Sequence, residues 1–294
     1  MNENRLNAWV LASRPKTLPV AIAPIIMASA MSWEDRGFNL GAAIVALVCA
    51  LLITIGTNFC NDYADFARGS DTADRKGPTR VTQAGLLPSR QVRIATYIVF
   101  ALAIVIGMYL IYRGGWIVLL IGLASISAGI SYTSGPWPFG YKGLGDLFVL
   151  IFFGPVAVGG TYYVQTLAIT SNVIIAGLAP GLLATAILVV NNIRDVDEDR
   201  AANKKTLIVR YGKTFGICFW TVCVVIAALL PFALIYIAGN HLWAGLTALI
   251  LIPGVRILHG LITIQDSRLL NPLLPQTALL LLGYSIIFSL GWIL

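Results

Sequence analysis

The sequence is short of charge, histidine and cysteine. Charged residues fill only 11% of 294 positions and apolar ones 58%, far outside what a water-soluble globular chain carries. The two histidines, His241 and His259, fall near expected helix ends and leave little material for a histidine metal site or a serine-type triad. The four cysteines, Cys49, Cys60, Cys218 and Cys223, sit in apolar runs without CxxC spacing. Neither a disulfide framework nor a zinc site is suggested, and they read as small buried hydrophobes. No GxxxxGK[ST] stretch occurs, so nucleoside triphosphate chemistry has no support. Arg14-Pro15-Lys16 leads into the first long apolar run with no small-residue cleavage site, so that run reads as a retained helix.

What is abundant is uninterrupted apolar sequence. Runs of about 20 residues, the length that crosses a roughly 30 Å hydrocarbon layer, recur along the whole chain. They fall at 17–33, 40–63, 92–112, 115–134, 145–166, 172–193, 215–238, 242–263 and 274–294. The expected architecture is therefore all-α: a polytopic membrane protein of about nine transmembrane helices, forming one bundle around a central cavity and one domain over 1–294.

The formal charge of +7 would suit a nucleic-acid partner if it were gathered on a soluble face, but the basic residues follow topology instead, and no nucleic acid is expected. Arg5, Arg14 and Lys16 precede the first run. Arg68, Arg75, Lys76, Arg80, Arg90 and Arg93 follow the second, and Arg200, Lys204, Lys205, Arg210 and Lys213 follow the sixth. The opposite loops offer Arg36 and Arg113. By the positive-inside rule the N-terminus and both large charged loops are cytoplasmic and the C-terminus lies across the cell (inner) membrane.

The thirteen acids are placed still less evenly, because eight of them form two groups: Asp62, Asp65, Asp71 and Asp74, then Asp195, Asp197, Glu198 and Asp199. Each group closes an even-numbered run, so both emerge on one face of the membrane. Asn58, Asn61, Asp62 and Asp65 repeat at i, i+3, i+4 and i+7 and share one helical stripe. On a continuous helix Asn191, Asn192, Asp195 and Asp199 share another. An Asp at a helix centre in lipid costs about 2.5–3.5 kcal/mol, less near the interface, and a helix C-terminus disfavours acids by a further ~0.3–1 kcal/mol each. Two such stripes facing one cavity call for positive charge between them. Oxygen ligands alone, Asp with Asn beside it, suit a hard ion such as Mg²⁺. The expected ligands are Asp62, Asp65, Asp195 and Asp199, with Asp71 as a fifth, while Asp74 and Asp197 read as solvated loop charges.

Lys16, Arg80, Lys142 and Lys204 or Lys205 lie in the cytoplasmic segments, where their side chains suit the oxygens of an anion held through the metal. With nucleotide chemistry unsupported, the anion expected is a diphosphate carried on an apolar chain. The segment 132–146, YTSGPWPFGYKGLGD, interrupts two apolar runs with Pro, Gly and aromatics. It reads either as an ordinary turn or as a wall with a phosphate-binding Lys142.

At this point Asn61-Asp62-x-x-Asp65, paired with Asp195-x-x-x-Asp199 on the second and sixth of about nine helices, resembles the UbiA-type intramembrane aromatic prenyltransferases. The stretches SRPKTLP (13–19), NDYADFARGSDTADRKGPTR (61–80), GYKGLGD (140–146) and NNIRDVDEDRAANKKTLIVRYG (191–212) are similar to the menaquinone-pathway branch that prenylates 1,4-dihydroxy-2-naphthoate. The broad pattern NDxxDxxxD expects a third acid where this chain has Gly69, and Asp71 takes that place in the menaquinone branch. The resemblance implies Mg²⁺ between the two Asp groups, with Asp65 and Asp199 carrying the catalysis and Asn58, Asn61, Arg80, Lys142, Asn192 and Lys205 around the substrate. It also implies a polyprenyl diphosphate donor and an aromatic acid acceptor whose carboxylate is held by Arg14 or Lys16 and leaves as CO₂. Homogentisate and 4-hydroxybenzoate satisfy the same charge logic. Two other classes fit parts of the pattern: a secondary transporter, whose acids belong at mid-bilayer, and a glycosyl or phosphoalcohol transferase, for which Asp195-Val196-Asp197 offers a lone DxD.

Overall fold

The computed structural model describes residues 3–70 and 76–294, and those residues form helices joined by turns and loops, with no strand among them. Asp71 and Asp74 lie outside the described residues. In chain order the helices are α1 (Glu3–Ser13), α2 (Pro19–Glu34), α3 (Leu40–Ala67), α4 (Ser89–Gly114), α5 (Trp116–Ser131) and α6 (Gly145–Ile151). They continue with α7 (Ala157–Thr166), α8 (Ser171–Arg194), α9 (Val196–Ala201), α10 (Leu207–Ala238), α11 (Leu251–Thr263) and α12 (Leu273–Ile293). Three of the starts, those of α3, α8 and α10, are set by side chains that satisfy orphaned first-turn amides. Asn39 accepts from the Ala42 N–H at 2.8 Å, and Thr170 and Thr206 accept from Val173 and Val209, each at 3.3 Å.

Seven helical stretches among the described residues are long and apolar enough to cross a membrane, or eight if the bent pair Arg5–Thr17 and Pro19–Glu34, turned by 51°, is one span. The chain is a multi-pass membrane protein. The expected count of nine is not reached, because the run at 115–134 folds as the 16-residue α5. At 1.5 Å per residue α5 is about 24 Å long, short of the hydrocarbon thickness. The α10 stretch begins earlier than its apolar run, at Leu207, and is kinked at Gly212, whose φ of 89° a side chain tolerates poorly.

One helix occupies the middle. α8 is as hydropathic as α3 and α4 but has 72% of its apolar window buried, against 28% and 22% for those two. α10, α12 and the segment Gly145–Thr166 surround it. Small residues allow this closeness. A Cβ on Gly181 would meet the Leu150 carbonyl oxygen, and one on Gly154 would come within 2.7 Å of the Gly177 carbonyl oxygen. Opposite α8, the chain passes from α6 to α7 through a π-helical turn, Phe152–Val156, where Gly154 leaves helical dihedrals and Pro155 withholds an amide. The start of α6 packs on α8 through Thr185, which donates to the Asp146 carbonyl, and the loop before α6 reaches the C-terminal end of α3.

Candidate active site

α3 is a continuous helix, so its polar stripe survives folding intact. Asn58, Asn61, Asp62 and Asp65 are all buried, on the face turned away from lipid. The second stripe does not survive as a helical face. α8 ends at Arg194, Asp195 leaves helical geometry at φ −94° and ψ 10°, and α9 restarts the chain. The Asp199 N–H still donates to the Asp195 carbonyl at 2.8 Å, yet the two carboxylates take different partners. Asp195 receives Nε and Nη2 of the neighbouring Arg194 at 2.6 and 2.7 Å, whereas Asp199 pairs with Lys204 at 3.3 Å.

Asp65 and Asp199 nonetheless meet around one residue. The loop before α6 carries Tyr141, whose hydroxyl donates to Asp65 at 2.8 Å and lies 2.7 Å from the Ser70 hydroxyl. The Lys204 ammonium stands 5.5 Å from the centre of the Tyr141 ring and Arg68 5.4 Å, so the phenol is flanked by cations. Arg80 reaches the other Asp65 oxygen at 3.0 Å. Burial alone would push the Lys204 ammonium down, but the Asp199 and Asp65 carboxylates outweigh it and hold the group above its ordinary value. Burial, reinforced by the charge on Asp65, raises the Tyr141 phenol in turn.

The remaining expected residues are placed as follows. Both Asp62 oxygens accept backbone amides, from Val81 at 3.1 Å and Thr82 at 3.0 Å, so this acid anchors the turn after Arg80. Asn61 accepts from Thr133 at 2.8 Å, and Asn58 donates to the Ser13 carbonyl at 3.1 Å, which pins the turn holding Arg14 against α3. Asn192 is buried. Lys16, Lys142 and Lys205 are exposed, and Lys205 contributes its backbone N–H to the Tyr141 carbonyl at 2.9 Å. Lys204, its neighbour, is the lysine that faces the acids. Tyr141 and Arg194 were not singled out in the sequence. Tyr141 sits beside Lys142 in the irregular stretch 132–146, which is the available signal, whereas in sequence Arg194 is one more basic residue at a helix end.

Among the described residues no three His, Cys, Asp or Glu side chains are gathered tightly enough to hold one ion. The donor chemistry still fits Mg²⁺, because the Asp65 and Asp199 carboxylates gathered around Tyr141 and Lys204 are hard oxygen ligands. The Lys204 ammonium held by Asp199, with Asp65 adding to its stabilisation, marks a position where positive charge is favoured.

Below the acids lies a cavity of about 260 Å³, almost wholly apolar. Tyr132, Phe139 and Phe148 line its upper end, and Phe139 and Phe148 are stacked at 3.9 Å. The lining on α3 runs from Thr57 down to Ala46, about 16 Å of helix axis. Tyr132, which lines the cavity, also interacts electrostatically with Lys204, Asp199 and Asp65, so the charged cluster and the apolar cavity adjoin.

The model of the UbiA prenyltransferase family matches residues 21–292. The chain is 35% identical to a 1,4-dihydroxy-2-naphthoate octaprenyltransferase of Haemophilus influenzae, across 99% of this chain and 97% of that protein. It is 36% identical to the Escherichia coli protein of the same name, across 98% and 96%. Among solved structures, a UbiA homolog from Aeropyrum pernix K1 superposes with a TM-score of 0.68 at 17% identity, covering 93% of this chain and 96% of that one. One from Archaeoglobus fulgidus, bound to GPP and Mg²⁺, gives 0.64 at 15% identity, covering 96% and 99%.

Proposed function

The chain belongs to the UbiA prenyltransferase family, and from that premise we propose that it transfers a polyprenyl group from polyprenyl diphosphate to 1,4-dihydroxy-2-naphthoate, with loss of CO₂ and diphosphate, to give demethylmenaquinol. The acceptor follows the relatives' name, and the donor follows both that name and the archaeal homolog bound to GPP and Mg²⁺. One observation carries the reading: carboxylates from two distant helices meet around Tyr141 and Lys204 beside an apolar cavity, with Tyr132 shared between the two. A transporter would place its ionisable groups along a path through mid-bilayer, and here the channel beneath the acids is lined by hydrocarbon side chains.

Asp65 and Asp199 are the residues that would hold Mg²⁺, with Asn61 one helical turn before Asp65 and with Asp62, Asp71 and Asp195 completing the acidic set. The ion supplies Lewis-acid stabilisation of the departing diphosphate. The chain's own cations do the rest of the binding. Arg80 and Lys204 present donors to diphosphate oxygens, and Tyr141 fixes the orientation of Asp65. Apolar walls exclude water from the allylic cation, and the ring faces of Tyr132, Phe139 and Phe148 stabilise it by about 0.5–2 kcal/mol per contact. Arg14, held in place through Asn58 and the Ser13 carbonyl, is the group for the acceptor carboxylate. The reaction runs at the cytoplasmic side of the cell membrane, with the N-terminus on that side and the C-terminus opposite, as the basic loops direct.

The test is transfer by the purified chain with Mg²⁺, one polyprenyl diphosphate and a panel of aromatic acids, read by mass spectrometry. The expected product is prenylated naphthohydroquinone that has lost CO₂. Preference for 4-hydroxybenzoate or homogentisate, or product that retains the carboxylate, overturns the acceptor.

A further inference from the structure

Segment 76–82 runs between the two acidic groups and touches both. At its far end the Val81 and Thr82 amides bind Asp62, and Arg80 binds Asp65. At its near end the Lys76 N–H donates to Glu198 at 2.5 Å and the Lys76 ammonium pairs with Asp197 at 3.0 Å. Gly77 lies flush against Arg194, since a Cβ there would come within 2.7 Å of Nη2. The segment is thus a strap that sets where Arg80 stands relative to α8 and α9.

A residue from elsewhere fastens it. Asn271, in the turn between α11 and α12, donates through Nδ2 to the Lys76 carbonyl at 2.9 Å. Through Oδ1 it accepts from Arg194 Nη1 at 3.1 Å, and Arg194 is the residue that grips Asp195. One amide side chain therefore ties the strap to the acidic end of α8, although 195 residues separate it from Lys76. Arg194 is 1% exposed, so a guanidinium donor that loses its acceptor here has no water to turn to.

We propose that Asn271 is a positioning residue for the diphosphate site, acting through the Lys76 carbonyl and Arg194 to hold the strap and its Arg80 in place. This rests on the prenyl-transfer reading of the site. Asn271→Asp keeps an acceptor for Arg194 and turns the donor shared by the Lys76 and Arg268 carbonyls into a repelling oxygen, so the Arg194 contact is retained while the strap contact is lost.

The experiment compares wild type, Asn271→Asp and Gly77→Ala, which displaces the strap from the Arg194 side, as full chains in detergent with geranyl diphosphate and Mg²⁺. Both variants should raise the KM for geranyl diphosphate about fivefold, the size of one hydrogen bond, with kcat and the acceptor KM within about twofold. Trypsin should cut after Lys76 faster in both. An unchanged KM in correctly inserted protein overturns the proposal, as does a parallel loss in kcat and in both KM values, the pattern of general destabilisation. Calorimetric titration of geranyl diphosphate with Mg²⁺ decides the case if wild type transfers nothing to any acceptor, an outcome that counts against the prenyl-transfer reading instead. Binding about fivefold weaker in the variants then supports the positioning role, and equal binding overturns it.

Discussion

The Tyr141 hydroxyl donates to one oxygen of Asp65 while Arg80 holds the other, so the orientation of this buried carboxylate is fixed from two sides. Tyr141→Phe removes one of these contacts and keeps the ring beneath Lys204 and Arg68. Prenyl transfer should fall by about three- to tenfold, and the midpoint of thermal unfolding should drop by a few degrees, as expected for one buried hydrogen bond of roughly 0.5–1.5 kcal/mol. Initial rates and a thermal melt check both.

Asp65→Asn and Asp199→Asn retain shape and remove the charge that balances Arg80 and Lys204. Each should lower transfer by about a hundredfold or more while the protein still inserts and purifies, and chelating divalent ions should do the same to wild type. Near-normal turnover in either variant removes these acids from the metal site.

The two lysines of the neighbourhood separate cleanly. Lys204 is largely covered and paired with Asp199, whereas Lys142 is exposed and gives its carbonyl to Arg210 at 2.9 Å. Lys204→Ala should raise the KM for prenyl diphosphate about tenfold or more, and Lys142→Ala by less than about twofold. Steady-state kinetics at fixed acceptor distinguishes them.

Alkaline pH offers an independent readout. The folded values of Lys204 and Tyr141 both lie above their ordinary ones, so the folded state holds these protons more tightly than the unfolded chain. Their stabilising contribution is complete below about pH 10 and is lost as pH rises through the elevated folded values. The unfolding midpoint should be flat with respect to these groups from pH 7 to 9 and fall above about pH 10. Tyr141→Phe should make that fall shallower.

Gly181 is where α8 meets the backbone of α6 most closely. Gly181→Ala places a methyl against the Leu150 carbonyl oxygen and should cost about 1–3 kcal/mol by overpacking, read as a lower yield of folded protein and a reduced melting midpoint.

Much of this molecule was legible as sequence because lipid imposes strong rules. Apolar runs located the helices, and the periodic stripe on α3 put Asn58, Asn61, Asp62 and Asp65 on the buried face, since α3 stays helical through Asp65. The same wheel does not carry over to Asp195 and Asp199, because it assumes a continuous helix and α8 ends at Arg194, before both of them. Tyr141 was hidden by its type, as aromatics are common in membrane chains and no spacing distinguishes one that binds a carboxylate. Asn271 was further from reach. A lone amide before Pro272 reads as a turn residue, and its contact with Lys76 spans most of the chain.

The central position of α8 also constrains how the chain is assembled. A ribosome delivers α8 before α10 and α12 have been synthesised, so the helix destined to be most enclosed is first covered only by earlier segments such as Gly145–Thr166 and meets acyl chains where α10 and α12 will later pack. Those later helices must strip the lipids away, whereas Gly177 and Gly181 let the earlier backbone of residues 150–155 come closer to α8 than an acyl chain can. Completion of the reaction centre is therefore a late event in biogenesis, which waits on the last third of translation.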